Sequence, residues 1–488
     1  MTDRLRLSED NRRWWTLAAM CFALFMVMLD NTVVNIALPA IRAQFHASIS
    51  NLSWTVNAYT LVFGVLLVTG GRLGDVFGRK RMFLAGVVVF TLGSIGAGLS
   101  QSIDQLIVFR GVQGVGAAFL MPGSLSIITN AFQGPERGRA LGLWAGISGL
   151  ALGMGPVVGG LLVEKAGWEW IFFLNVPVAL IAIPVTIYAV QESRDPAAIR
   201  RVDFAGIITL TIGLGALVLA LVQSNDYGWT SSRILAEFAI AAIGLTAFGL
   251  LQWRQSDPML DLSFFRNRTF NAGNATAFLV TFSMFATFFF LTIYMQTILG
   301  LSALETGVRF LPMTILIIVT APIAGRLSDK YGSRWLLTGG MTLVSLSLFL
   351  ESRITDSSGY LTLLPAFIVG GIGMGMTMSP MTAAVMGSVD RTKAGAASGV
   401  LSMVRMIGGV FGVAALTAVF SHLSASRAAE GHGASDVFIY ALSHSLQYSA
   451  LFALAGAVVA FLFVRTHHEE PEQAADERVL APAYEAGD

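Results

Sequence analysis

Charged side chains are scarce in this chain: they make up 12% of its 488 residues, whereas hydrophobic residues make up 55%. A soluble domain carries roughly 25% charged residues, so this chain has too little polar surface for a water-soluble protein. The net charge of +1 gives no electrostatic reason to bind nucleic acid. The composition instead predicts a protein embedded in a lipid bilayer.

Cysteine and clustered metal ligands are also nearly absent. The single cysteine, Cys21, lies in an apolar run and can form neither an internal disulfide nor a multi-cysteine metal site. The six histidines show no ligand-like spacing, and the chain has no HExxH pattern and no nucleotide-binding P-loop. We therefore expect no metal and no cofactor, and we disfavour both a polytopic membrane enzyme and ATP-driven export.

Long apolar runs are what the chain has instead. A membrane-spanning helix needs about 20 mostly apolar residues. The runs that meet this length cover residues 14–40, 52–71, 82–100, 104–131, 138–162, 169–190, 204–224, 233–253, 270–299, 304–324, 334–351, 360–387, 395–421 and 443–465. The pattern predicts an all-α integral membrane protein with fourteen transmembrane helices.

The basic residues orient these spans. Most of the 31 Lys and Arg residues lie in alternate loops that begin with the N-terminal segment, whereas Arg110 and Arg405 lie inside spans. Cytoplasmic loops carry an excess of Lys and Arg. Both termini are therefore predicted to face the cytoplasm, in a multi-pass protein of a bacterial inner membrane.

A short motif occurs twice, at the same place in each half of the chain. Residues 71–79 read GRLGDVFGR, and residues 325–333, at an offset of 254 positions, read GRLSDKYGS. Parallel repeats of six helices characterise one large transporter fold. The offset exceeds six spans and their loops by roughly 60 residues, which two inserted helices would account for.

The repeat predicts a 6+2+6 arrangement of the spans. Its parts are a cytoplasmic N-terminus (1–13), an N-terminal six-helix bundle (14–190), two inserted helices with linkers (191–269), a C-terminal six-helix bundle (270–465) and a disordered cytoplasmic tail (466–488). The tail is predicted to be disordered because it is acidic and contains Ala and Pro. We expect the chain to act as a monomer.

Four segments resemble signatures of the major facilitator superfamily, and specifically of its fourteen-span drug:proton antiporter branch. They are LDNTVVNIALP at 29–39, GRLGDVFGRKR at 71–81, RGVQGVGAA at 110–118 and the segment 149–160, which ends in GMGPVVGG. The resemblance implies the major facilitator fold. It also implies export of hydrophobic or cationic small molecules, such as drugs, antibiotics and dyes, driven by the proton gradient. A metabolite importer or uniporter of the same fold is the alternative, and the glycine-proline pattern of the fifth span disfavours it.

Asp30 and Arg110 are predicted to couple transport to protons. Asp30 is about ten residues from the outer end of its span, or roughly 15 Å deep, and the pattern places no other acid so deep. Burial favours the protonated form of a carboxyl group, as proton uptake requires. Arg110 lies at a similar depth, stays charged, and takes a role in proton transfer by the resemblance. The alternative is a structural role for each, with Asp30 capping a helix break and Arg110 bound to backbone carbonyls.

The repeated motif is predicted to form a cytoplasmic gate. Its residues are Gly71, Asp75, Gly78 and Arg79, with Asp329 from the second copy. The resemblance implies that this loop latches the cytoplasmic side, and Asp75 is expected at a helix N-terminus, where the dipole favours a carboxylate. Simple positive-inside anchoring is the alternative. The second copy has Ser333 in the place of Arg79, which predicts a weaker second gate.

The fifth span is predicted to pack closely through its small residues. They are Gly149, Gly153, Gly155, Pro156, Gly159 and Gly160, which the resemblance identifies as the antiporter motif. Small residues let helix backbones approach closely, and a tight, dry contact would prevent proton leak through the empty carrier. Generic helix packing is the alternative.

A substrate cavity is predicted from aromatic, Met and amide side chains, which suit varied apolar ligands. The candidates are Asn35, Trp54, Asn57, Tyr59, Gln113, Met121, Tyr294, Gln296, Met374 and Arg405. Arg405 has no acid at mid-span in the second half of the chain to pair with. Backbone carbonyls, water or substrate are its possible partners.

Overall fold

Helices make up almost all of the computed structural model, which describes residues 9–132, 134–194, 203–255, 258, 262–355, 358–389 and 394–465. Within these ranges, fourteen helices are long and apolar enough to cross a membrane. The predicted number and order of spans are therefore confirmed. Residues 1–8 of the predicted N-terminal segment and the predicted tail at 466–488 lie outside the described residues.

The helices follow the predicted order. The first nine are α1 (Glu9–Phe45), α2 (Ile49–Phe77), α3 (Arg79–Gly98), α4 (Ile103–Ala131), α5 (Gly134–Lys165), α6 (Trp170–Phe173), α7 (Asn175–Ala189), α8 (Phe204–Tyr227) and α9 (Ser232–Arg254). After a short 3-10 helix at Leu262–Arg266 come α10 (Arg268–Thr297), α11 (Ala303–Arg309), α12 (Leu311–Tyr331), α13 (Ser333–Glu351), α14 (Tyr360–Gly387), α15 (Ala394–Ala429) and α16 (Ala434–Phe463). The sixth span consists of α6 and α7, and the tenth of α11 and α12.

Several helices extend beyond the apolar runs that predicted them. The first run was placed at 14–40, but α1 covers Glu9–Phe45; the run at 395–421 lies within α15, which ends at Ala429. An apolar run marks only the part of a helix that lies in hydrocarbon. The polar ends of these helices belong to the same hydrogen-bonded rods, which hydropathy alone does not reveal.

The two halves of the chain match at the offset of the repeated motif. Helix α2 covers 49–77, and α11 with α12 covers 303–331, which is 254 positions later at both ends. In the second copy the helix breaks at Phe310, two residues before Pro312, because proline conflicts with the preceding helical turn. The matching bounds support an internal repeat, while the domain boundaries themselves stay a prediction.

The halves meet mainly along two lines of contact, and α1 also contacts α10 between them. Helix α2 packs against α15, and α5 packs against α11 and α12. Helices α8 and α9 pack against each other, and α8 also contacts α2 and α15. The inserted pair therefore lies beside one of the two lines along which the halves meet.

A polar cap joins α8 to α9. Asp203 caps α8 by accepting a hydrogen bond from the backbone N–H of Gly206, and it also accepts from the side chains of Gln252 and Gln255. Burial raises the pKa of Asp203, but these hydrogen bonds outweigh burial and lower the pKa overall. Asp203 thus stays ionised as the cap of the inserted pair.

Candidate functional site

Asp30 of α1 and Arg110 of α4 form a buried ion pair. Their side chains are 0% and 1% exposed, and Arg110 Nη1 donates to Asp30 Oδ2. Arg110 Nε also donates to the backbone oxygen of Thr55 at 3.0 Å, and Nη1 to Gln113 Oε1 at 2.9 Å. Charges within the bilayer are costly unless they are paired. The two residues that the sequence placed at similar depth therefore balance each other's charge.

Amide and hydroxyl groups extend this pair into a network. Gln113 Nε2 donates to Asp30 Oδ1 at 3.2 Å and to Ser94 Oγ at 2.6 Å. Asn175 Nδ2 donates to the same Ser94 hydroxyl at 2.9 Å. The network thus links α1, α3, α4 and α7. Ser94 and Asn175 were missed in the sequence, where a single Ser or Asn within an apolar run carries no distinctive signal.

An aromatic ring completes the surroundings of Arg110. Its Cζ lies 4.3 Å from the ring centroid of Tyr59, which is a cation–π contact. Glycine brings these helices together, since a Cβ at Gly114 would lie 2.6 Å from the backbone oxygen of Tyr59. A Cβ at Gly93 would lie 2.8 Å from the backbone nitrogen of Gln113. Glycines of α3 and α4 therefore bring the network residues within hydrogen-bonding distance.

The predicted gate is not a loop. Helix α2 continues through Gly71 to Phe77, α3 begins at Arg79, and only Gly78 between them is non-helical, with φ of 116°. The expectation that Asp75 lies at a helix N-terminus is wrong, because it lies in the last turn of α2. Its carboxylate pairs there with Arg79, at 2.8 Å between Oδ1 and Nη2. Charged residues made the segment look like a loop although they belong to polar helix ends.

Glu192, which follows α7, caps α3 in place of Asp75. Its carboxylate accepts from the backbone N–H groups of Lys80 at 3.0 Å and Arg81 at 3.3 Å. A Cβ at Gly78 would lie 2.7 Å from this carboxylate, so glycine is required by the space as well as by the positive φ. Sequence reasoning missed Glu192, although an acid in a strongly basic loop was the available signal.

The second copy of the gate has the same chain path. Gly332, with φ of 81°, separates α12 from α13. Ser333, in the place of Arg79, shares a hydrogen bond with Ser328 at 2.8 Å between hydroxyl oxygens. Asp329 lies on α12, but its side chain lies outside the described residues. The predicted weakness of this gate stays a prediction.

One face of α5 packs against α1 through glycine. A Cβ at Gly155 would overlap Thr32 Oγ1, and a Cβ at Gly159 would lie 2.8 Å from Val33 Cγ2. The two glycines are four residues apart and therefore lie on the same face of the helix. Gly149 of the same predicted motif lies on α5, but its surroundings are outside the described residues.

The other small residues of α5 face the second half of the chain. A Cβ at Gly160 would lie 2.5 Å from the backbone oxygen of Ala303 in α11. The backbone of Pro156 leaves no space for a Cβ at Gly307, and Gly153 faces α12. Backbone thus meets backbone between α5 and α11, as the predicted close contact requires.

The residues predicted to line one cavity lie in different places. Tyr59 and Gln113 belong to the network around Arg110. Gln296 Nε2 instead donates to the backbone oxygen of Ile36 at 2.9 Å, which joins α10 to α1. Side-chain type suggested a shared cavity, whereas the structure uses these groups to hold helices together.

The apolar candidates are similarly separated. Tyr294 is fully buried in the core of the second half, and Met374 lines a small cavity beside α13. Trp54 and Met121 are half-buried. Met121 packs against the core of the first half, and Trp54 packs against the larger core cluster, which contains residues of both halves. Packing accounts for the positions of all four.

The candidates with unsatisfied polar atoms are Asn35, Asn57 and Arg405. Asn57 is fully buried and neither atom of its amide has a hydrogen-bond partner. Asn35 Nδ2 donates to Asn31, but its Oδ1 has no partner. Arg405 Nη2 lies 3.4 Å from Met378 Sδ, and its Nε has no partner. These three residues offer hydrogen bonds that other side chains in the described structure do not use.

Two further acids, Glu351 and Glu237, are buried within the protein. Glu351 is 1% exposed and lines the cavity beside α13. It is the last residue of α13, so burial and not depth along the span distinguishes it. Glu237 of α9 is 7% exposed and pairs with Arg233 at 3.2 Å.

Two related helical halves in a membrane, with a buried ion pair in one of them, define a polytopic membrane transporter. Residues 20–413 match the family model of the Major Facilitator Superfamily, and the chain belongs to that family. The resemblance found in the four sequence segments is therefore confirmed.

Relatives of the chain are resistance and export proteins. It is 36% identical over 416 residues to the tetracenomycin C resistance and export protein of Streptomyces glaucescens, covering 85% of this chain and 77% of the relative. It is 35% identical over 474 residues to the puromycin resistance protein pur8 of Streptomyces alboniger, covering 95% and 94%. The fold is similar to the crystal structure of a bacterial homolog of the human lysosomal transporter Spinster in its inward-facing and unoccupied conformation. The TM-score is 0.66 at 17% identity, covering 93% and 97% of the two chains.

Proposed function

We propose that the chain is a proton-coupled antiporter that exports hydrophobic or cationic small molecules from the cytoplasm by alternating access. The observation that carries the proposal is the buried pair of Asp30 and Arg110, since an acid inside the bilayer marks a functional site. The resistance and export functions of the relatives support the direction of transport. The chain lies in a bacterial inner membrane with both termini in the cytoplasm.

The network allows Asp30 to change its protonation state without disrupting the bundle. When Asp30 is ionised, its charge balances that of Arg110. When a proton binds, Arg110 keeps the backbone oxygen of Thr55, Gln113 Oε1 and the Tyr59 ring as partners. Proton binding therefore leaves one net positive charge at the site.

That change of charge links the proton to a cationic substrate. A second cation near an unbalanced guanidinium in a low-dielectric environment is repelled. A proton on Asp30 and a cationic substrate bound near Arg110 therefore disfavour each other. Alternating occupancy by two ligands of this kind is antiport. The close contact of α5 with α1 and α11 limits leak while neither ligand is bound.

Export is tested by a drug-susceptibility panel in a bacterium that lacks its own efflux pumps. Expression of the chain should protect against one or more hydrophobic or cationic compounds, and a protonophore should abolish the protection. Protection should also be lost with Asp30→Asn and retained with Asp104→Asn, which changes an exposed acid at the start of α4. Absence of protection, together with saturable uptake of a metabolite, would instead establish an importer.

A further inference from the structure

The cavity beside α13 contains an acid that the proton-coupling pair does not use. Glu351 is 1% exposed, and one of its carboxyl oxygens lies near Ser347. The other, Oε2, has no hydrogen-bond partner among the residues that the structure describes. The other residues that line the cavity are apolar or carry hydroxyl groups, and none of them is titratable. An ionised carboxylate in such surroundings would be an unpaired buried charge, which is costly.

The geometry around Ser347 indicates where the proton is. Its Oγ lies 2.8 Å from the backbone oxygen of Ala366 and 3.1 Å from Glu351 Oε1. A serine hydroxyl has one proton to donate and two lone pairs to accept with. A carbonyl oxygen can only accept, so the Ser347 proton goes to Ala366. The second short contact is then a hydrogen bond only if Glu351 brings its own proton and donates it to Ser347.

The cavity also occupies a particular place in the internal repeat. Three of its lining residues, Met284, Met313 and Leu348, lie 254 positions after Asp30, Tyr59 and Ser94.

The cavity beside α13 is therefore the counterpart, in the second half, of the site around Asp30. In the second half the acid lies on α13, and Glu351 is three residues beyond Leu348. Side chains on a helix lean toward its N-terminus. The carboxyl group of Glu351 therefore lies closer to Leu348, and so to the counterpart site, than its backbone does.

The cavity is small, and its surface is almost entirely apolar. It has room for about one water molecule, and Glu351, Ser347, Ser283 and Thr287 supply its polar atoms. Gly370 makes this arrangement possible, since a Cβ there would lie 2.5 Å from Ser347 Oγ. Apolar surroundings of this kind favour the neutral form of the Glu351 carboxyl group.

We propose that Glu351 is a second proton-binding site, which holds a proton in the second half of the chain as Asp30 does in the first. The use of this site in transport rests on the proton coupling proposed above. The protonation itself does not, and it is tested without any substrate.

The test is infrared difference spectroscopy of the full-length protein in lipid, between acid and alkaline pH. The wild type should show the carbonyl stretching band of a protonated carboxyl group. Glu351→Gln should remove one component of that band, while Glu430→Gln, which changes an exposed acid between α15 and α16, should leave this component. Spectra of the wild type and Glu351→Gln that coincide would overturn the proposal.

A second variant keeps the test decisive if Glu351→Gln does not fold. Ser347→Ala retains the acid but removes the acceptor of its proton, so the same band should move to the frequency of a weaker hydrogen bond. An unchanged band in Ser347→Ala would contradict the proposed donation from Glu351. Loss of proton coupling with an intact Glu351 band would count against the proposed antiport and leave the second site in place.

Discussion

At the scale of the residue, the buried polar side chains of this protein are of two kinds. Asp30, Arg110 and Gln113 satisfy one another in one network. Asn57 and Arg405, by contrast, keep atoms without hydrogen-bond partners in the described structure. An unsatisfied buried polar group lowers stability. The second kind is therefore the better candidate for contact with water or substrate during transport.

Asn57 gives a test of this distinction. Asn57→Leu removes both unsatisfied atoms and keeps the branched shape of the side chain, so it should raise the free energy of unfolding by about 1–3 kcal/mol. The same change should lower drug efflux, because the amide is then lost to the transport pathway. Thermal melting in detergent and efflux from cells measure the two effects. A stability gain with unchanged efflux would make Asn57 a packing residue only.

At the scale of the element, glycine decides which helices approach closely. Gly155 and Gly159 bring α5 against α1, and Gly160 brings it against α11. A backbone that meets another backbone leaves little space for water or ions. The fifth span can therefore hold the two halves of the chain together and remain dry.

The chain contains a matched pair of glycines to test this contact. A Cβ at Gly155 would overlap Thr32, whereas a Cβ at Gly146 of the same helix would meet nothing within 4 Å. Gly155→Ala should therefore cost about 1–3 kcal/mol through overpacking and reduce transport.

Gly146→Ala should leave both stability and transport near the wild-type values. Thermal melting and efflux assays of the two variants provide the comparison. Equal effects of the two substitutions would show that close packing at Gly155 is unimportant.

The sequence predicted helix number and order well, and local contacts less well. Apolar run length is a strong signal, so each of the fourteen spans was found. Glu192 and Glu351 were missed because a cap or a burial depends on which distant segment folds beside them. The shared cavity was overestimated for the same reason, since side-chain type does not tell which neighbour a residue such as Gln296 faces.

At the scale of the whole molecule, orientation in the membrane can be measured through the single cysteine. Replacing it with Cys21→Ser gives a background without thiols, in which single cysteines report the side of the membrane. Ala434→Cys, at the exposed start of α16, should react with a membrane-impermeant maleimide on intact cells. Ser263→Cys, in the exposed 3-10 helix, should react only after permeabilisation. The reverse pattern would contradict cytoplasmic termini.

The central claim is that Asp30, paired with Arg110, couples export to protons. Its most direct test is proton release on addition of a compound identified by the susceptibility panel, measured on the protein reconstituted in lipid. The wild type and Asp104→Asn should release protons as the compound binds, and Asp30→Asn should release none. Full proton release by Asp30→Asn would contradict the account.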